Sequence, residues 1–162
     1  MLPTDMLTLR RTRMQIGFDE KQMATLLLID SVEDYHRLES GNDEITPHLA
    51  MLIRNIRTGI ELKEAGFPKC TVLGSINRED ISFEALTTIS HNHFPRFLAQ
   101  VVLNSESADG ALTVPVTKFE KMVLCAWIDL PLGFNQLQID MLLEDTASEI
   151  ANYFIWLEQQ CD

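Results

Sequence analysis

The sequence predicts an α+β fold, an antiparallel sheet packed against helices and closed by a long C-terminal helix. Three observations predict it. Residues 136–157 carry an unbroken apolar stripe at helical spacing, the period shortens from helical to alternating after Gly66, and the predicted helices and strands are segregated, with no run of βαβ units. With 162 residues, 46% hydrophobic and 23% charged, the chain reads as a single α+β domain with enough apolar material for a core.

From the N-terminus, the stretch holding Arg10, Arg11 and Arg13 reads as a short helix or a loose arm. Residues 18–40 place Phe18, Met23, Leu26, Leu27, Val32, Tyr35 and Leu38 at roughly helical spacing and stop at Gly41-Asn42, which predicts one helix. Residues 46–65 predict a second, with Thr46 as cap, Pro47 in the first turn, a stripe of Leu49, Leu52, Ile53, Ile56 and Ile60, and Gly66 as stop. The chain thus divides into an N-terminal helical extension, 1–45, and a core, 46–162.

A short apolar strand is expected over 70–76, a turn at 77–80, and a second strand over 81–89, where Ile81, Phe83, Ala85 and Ile89 are spaced by polar residues. Ile81, Ala85 and Ile89 also fit a helix, and the β-branched content favours the strand. After Asn92 the pattern turns helical again: Phe94, Phe97, Leu98, Val101 and Val102 predict a short helix opened by Pro95. Residues 111–117 alternate and contain Pro115, which lacks an N–H, so this strand belongs at a sheet edge. The run 122–130 is apolar apart from Asp129 and reads as a strand covered on both faces. Asn135 then caps the last helix, with Ile139, Leu143, Ala147, Ile150, Phe154 and Leu157 on its stripe.

Composition excludes several function classes. A net charge of −11 disfavours nucleic acid and anionic membrane as partners. No apolar run reaches the roughly 18 residues a bilayer span needs, and the opening residues lack a signal core, so a cytoplasmic location is expected. The three cysteines, Cys70, Cys125 and Cys161, form no C-x-x-C and read as reduced thiols, the first two as small core residues. The isolated glycines rule out the glycine-rich phosphate loops, and no cofactor or metal is signalled.

Histidine chemistry narrows to His91 and His93, whose H-x-H spacing suits a metal in extended chain but lacks a carboxylate partner pattern. On the last helix Asp140 with Glu144, and Asp145 with Glu149, stand four apart on a polar face. Beyond Lys121 the chain holds seven acids and no base, a negative surface suited to a basic partner. Tyr153 and Trp156 lie off the centre of the stripe and are candidate interface residues. Leu112, Val114 and Val116 on the edge strand are candidate peptide-binding residues, because an unpaired edge accepts an extended segment, although Pro115 protects it.

The succession from Asn92 onward resembles the second half of the type III secretion chaperone-like superfamily, which includes the YbjN-like bacterial proteins. The residues that carry it are Phe97-Leu98-Ala99-Gln100-Val101-Val102 as a middle helix, the strand 122–130, Pro131-Leu132, and 137–157. The resemblance implies a small acidic homodimer of α-β-β-β-α-β-β-α order that holds an extended segment of a client protein. A non-enzymatic, chaperone-like binding module is therefore expected. The alternatives are a small metal-dependent hydrolase using His91 and His93, or an acidic inhibitor or immunity-type partner of a basic protein.

Overall fold

A computed structural model describes residues 6–74 and 87–160. The fold is α+β: an antiparallel sheet, helices, and a long C-terminal helix. The chain forms two compact units, a helical one (1–67, 93–95 and 129–135) and a sheet unit (68–92, 96–128 and 136–162). The helix beginning at Pro47 belongs to the helical unit, where it buries its stripe among the preceding helices.

The helical unit contains α1 (Met6–Ile16), α2 (Glu20–Leu26), α3 (Val32–Glu39) and α4 (Pro47–Glu64). The single helix expected over 18–40 is two. Asp19 opens α2 with a capping box, in which the Gln22 N–H donates to Asp19 Oδ1 at 2.8 Å and the Asp19 N–H donates to Gln22 Oε1 at 3.1 Å. Leu28 then adopts φ 57°, which ends the helix, and Ser31 starts the next by accepting from the Asp34 N–H at 3.0 Å. Helix α4 follows expectation: Thr46 caps it, Pro47 stands in the first turn, and Gly66 follows with φ 75°.

Two glycines permit close approaches within this unit. A Cβ on Gly59 of α4 would lie 2.8 Å from the backbone nitrogen of Phe94, and one on Gly133 would lie 2.5 Å from the Gln22 carbonyl oxygen. Phe94 and Phe134 both pack against the helical core, where the Phe18 and Phe134 ring centroids stand 4.8 Å apart. Between α1 and α3, Glu39 accepts from Arg13 Nε at 2.8 Å, from Arg13 Nη2 at 2.7 Å and from the Tyr35 hydroxyl at 2.5 Å. The two-pronged bond to Arg13 holds the Glu39 carboxyl below its ordinary range against the opposing effect of burial. Burial, with Glu39 adding, pushes the Tyr35 phenol up.

In the sheet unit, β1 (Cys70–Gly74), β2 (Thr87–His91), β3 (Phe97–Leu103), β4 (Thr113–Pro115) and β5 (Glu120–Trp127) form one antiparallel sheet in the order β1-β2-β3-β5-β4, and α5 (Gln136–Gln160) packs on it. The expected turn 77–80 and most of the strand 81–89 lie outside the described residues; the last three residues of that strand are in β2.

The helix expected over 97–102 is the central strand β3. Both periods fit these residues, but the backbone pairs with β2 on one side and with β5 on the other. Alternation then puts Phe97, Ala99 and Val101, all fully buried, on one face, where they meet Leu143, Ala147 and Ile150 of α5. Burying a side chain such as Phe97 contributes roughly 1.5–3 kcal/mol. The middle helix in the order implied by the resemblance is therefore absent from this position.

Strand β5 buries only Met122 and Val123. Its second half, after a register shift opposite Leu98/Ala99, exposes Cys125 and Ala126, and Ile128 and Leu130 beyond it are exposed as well. The expectation of a strand covered on both faces fails there, as does that of Cys125 as a core residue. Cys161 is outside the described residues.

Candidate protein-binding surface

The turn joining β4 to β5 is held by its own hydrogen bonds. Val116 and Thr117 donate their N–H groups to the Glu120 carbonyl at 3.0 and 3.1 Å, and the Thr117 hydroxyl accepts from the N–H groups of Phe119 and Glu120. Asn104 ties the turn from the other side, its N–H donating to the Phe119 carbonyl and its side-chain amide to that of Lys118. The Phe119 ring takes no part in these bonds and is 66% exposed, with the Lys118 ammonium 5.6 Å from its centroid.

Facing this turn is the last part of α5. The core stripe of the helix continues to Phe154, which packs against the sheet, but Tyr153, Phe154, Ile155, Trp156 and Leu157 are more apolar residues than one helical face can bury. Ile155 and Trp156 are each 52% exposed. A groove of about 670 Å³ runs between the two elements, with Val116 and Phe119 on one wall, Phe154, Ile155 and Leu157 on the other, and Glu120 and Glu158 among its charged lining. Tyr153 and Trp156, the expected interface residues, are not among its lining; their rings stack with centroids 6.0 Å apart.

Of the edge-strand residues expected to bind peptide, Val116 lines this groove and Leu112 is exposed, whereas Val114 packs into the core under α5. Strand β4 does stand at the sheet edge. The Leu124 N–H donates to the Leu112 carbonyl at 2.9 Å, and the Val116 N–H to that of Glu120, so the main chain of 112, 114 and 116 faces β5. By alternation Thr113 and Pro115 face outward, and proline has no N–H to offer. Along β4 the outward edge presents a single donor, that of Thr113, which is a poor template for an added strand.

The two histidines have different neighbours. His91 is buried at the end of β2 and stacks on Phe97 with ring centroids 4.7 Å apart, while His93 Nε2 lies 2.8 Å from the Phe67 carbonyl oxygen in the helical unit. Among the described residues no group of three His, Cys, Asp or Glu side chains converges as a metal site.

Asp145 and Glu149 on α5 share a basic partner that sequence spacing does not disclose. Lys69, just before β1, pairs with Asp145 and stands 3.6 Å from Glu149. Burial opposes its charge, and the two carboxylates override this, so Lys69 titrates above the ordinary lysine range. Next to it, burial and Glu149 push the Cys70 thiol up to about 12, a poor nucleophile at neutral pH.

The groove itself was not foreseen from the pattern. Its one sequence trace is Phe119, an aromatic set between Lys118 and Glu120 in a polar turn. No protein-family model matches the chain, and no curated protein and no solved structure matches it. Among the described residues no helix is long and apolar enough to cross a membrane.

Proposed function

We propose that this protein is a non-enzymatic, cytoplasmic, chaperone-like binding module that holds an apolar segment of a client protein in the groove between the β4–β5 turn and the end of α5. The observation that carries the reading is the meeting of Phe119 and Ile155, both exposed, across one apolar groove beside an acidic helix. Large apolar side chains clustered at a concave surface mark interaction sites, and aromatic residues anchor such contacts. The turn is prearranged by backbone hydrogen bonds, so little ordering is needed on binding. The reading differs from edge-strand addition in where the client lies: against Phe119 and α5, not along β4.

A photo-crosslinking residue in place of Phe119, followed by mass spectrometry, identifies the segment in contact. A synthetic peptide of that segment is expected to bind the wild-type protein and to lose at least tenfold in affinity on Ile155→Glu, with the circular dichroism unchanged. Crosslinks scattered over unrelated sequences, or equal affinity for both proteins, would overturn the proposal.

A further inference from the structure

Helix α1 has two faces. Leu9 and Thr12 are fully buried, and Arg13 turns in to Glu39. On the other side Leu7 and Met14 are 65% and 66% exposed, with Arg10 and Arg11 between them, both exposed. Positions i, i+3, i+4 and i+7 share one stripe of an α-helix, so these four residues make an apolar-basic-apolar row about 10 Å long. That is the pattern of a helix that lays two apolar anchors into a groove and sets its charges on the rim.

The chain also carries the complementary surface. Between Met6 and Ile16 it has no acid and three arginines, of which Arg13 turns in to Glu39, Arg10 stands 3.9 Å from Glu39 and Arg11 is exposed; between Gln136 and Gln160 it has no base and five acids, of which Lys69 engages Asp145 and Glu149. The groove at the end of α5 has apolar walls, and its charged lining residues are Glu120, Glu158 and Lys118, two acids to one base.

We propose that the groove of one copy receives α1 of a second copy, Leu7 and Met14 entering between Phe119 and Ile155 while Arg10 and Arg11 meet Glu120 and Glu158. This rests on reading the groove as a protein-binding site. A symmetric pairing of two α5 surfaces would set acids against acids, whereas α1 on the groove brings opposite charges together. Because the two faces differ, the contact is heterologous: each copy that receives an α1 still has an α1 to offer, and association continues into rings or chains. The same contact competes with a client for the groove.

Light scattering over a concentration series tests this with the full chain alone. The wild-type mass is expected to rise above the 18.5 kDa of one chain, less so at high salt. Leu7→Glu with Met14→Glu damages only the helix face, and Ile155→Glu only the groove; each is expected to weaken association at least tenfold. Mixed together they retain one intact half each, and are expected to form a one-to-one dimer that grows no further. A wild-type protein of single-chain mass at every concentration, association unchanged by the α1 variant, or a mixture that stays at single-chain mass would overturn the proposal. Client crosslinks at Phe119 together with association that the α1 variant leaves unchanged would leave the groove reading standing while this one falls.

Discussion

The helical unit and the sheet unit place their charges in opposite ways. In the first, Glu39, only 8% exposed at its side chain, is enclosed with Arg13 and Tyr35, and each polar atom of the carboxylate has a partner inside the unit. In the second, the carboxylates of α5 lie on the surface, and among the described contacts only Lys69 brings a basic group to any of them. The sheet unit also gathers exposed apolar side chains around one groove. Charge enclosed with its partners, as at Glu39, is taken up in holding helices together; carboxylates beside an apolar groove, as at Glu120 and Glu158, leave a surface suited to another molecule.

The sharpest way to break this comparison is to empty the sheet core. Phe97→Ala removes a fully buried ring that touches His91 and Trp127, and is expected to cost about 3–5 kcal/mol in urea unfolding. Both tryptophans, Trp127 and Trp156, belong to the sheet unit, so fluorescence reports its loss directly.

In the helical unit, Glu39→Ala leaves Arg13 without its carboxylate and is expected to cost about 3 kcal/mol, seen as faster hydrogen exchange in α1 and α3. The pH dependence has a definite sign. Because the folded carboxyl titrates below its ordinary value of 4.5, its contribution is present above that pH and is lost as pH falls through the lower folded value. Helical circular dichroism of the wild type is therefore expected to fall with acid below about 4.5, with a smaller acid-dependent loss in Glu39→Ala. Equal acid sensitivity in the two proteins would show that the enclosed carboxylate is not what distinguishes this unit.

Gly59→Ala sharpens the same contrast. Its methyl would collide with the Phe94 backbone, and an overpacked site of this kind is expected to cost about 1–3 kcal/mol, measured by urea unfolding, even though alanine favours a helix. The smallest effect is expected at the surface: Ile155→Ala, in the groove wall, changes stability by less than about 0.5 kcal/mol while weakening client binding. A large stability loss there would mean that the exposed end of α5 is structural.

The sequence by itself determined the elements whose signals are local. Thr46-Pro47 and Gly66 bracket α4, the stripe from Ile139 to Phe154 makes α5 pack on a core, and Pro115 puts β4 at an edge. Ser31 followed by Asp34 marks the start of α3 as well, a signal that the continuous spacing of 18–40 obscures. Caps, periods and missing donors act within a turn or two of chain, so they are legible without knowing what lies opposite. Tertiary structure decided the rest. Residues 97–102 satisfy helical and alternating spacing equally, and became a strand because β2 and β5 pair with their backbone on both sides. Lys69 reaches Asp145 across 76 residues, Gly59 meets Phe94, and the groove exists only where the turn at Phe119 faces Ile155. Each of these depends on partners distant in the chain, which the fold brings together and local sequence does not encode.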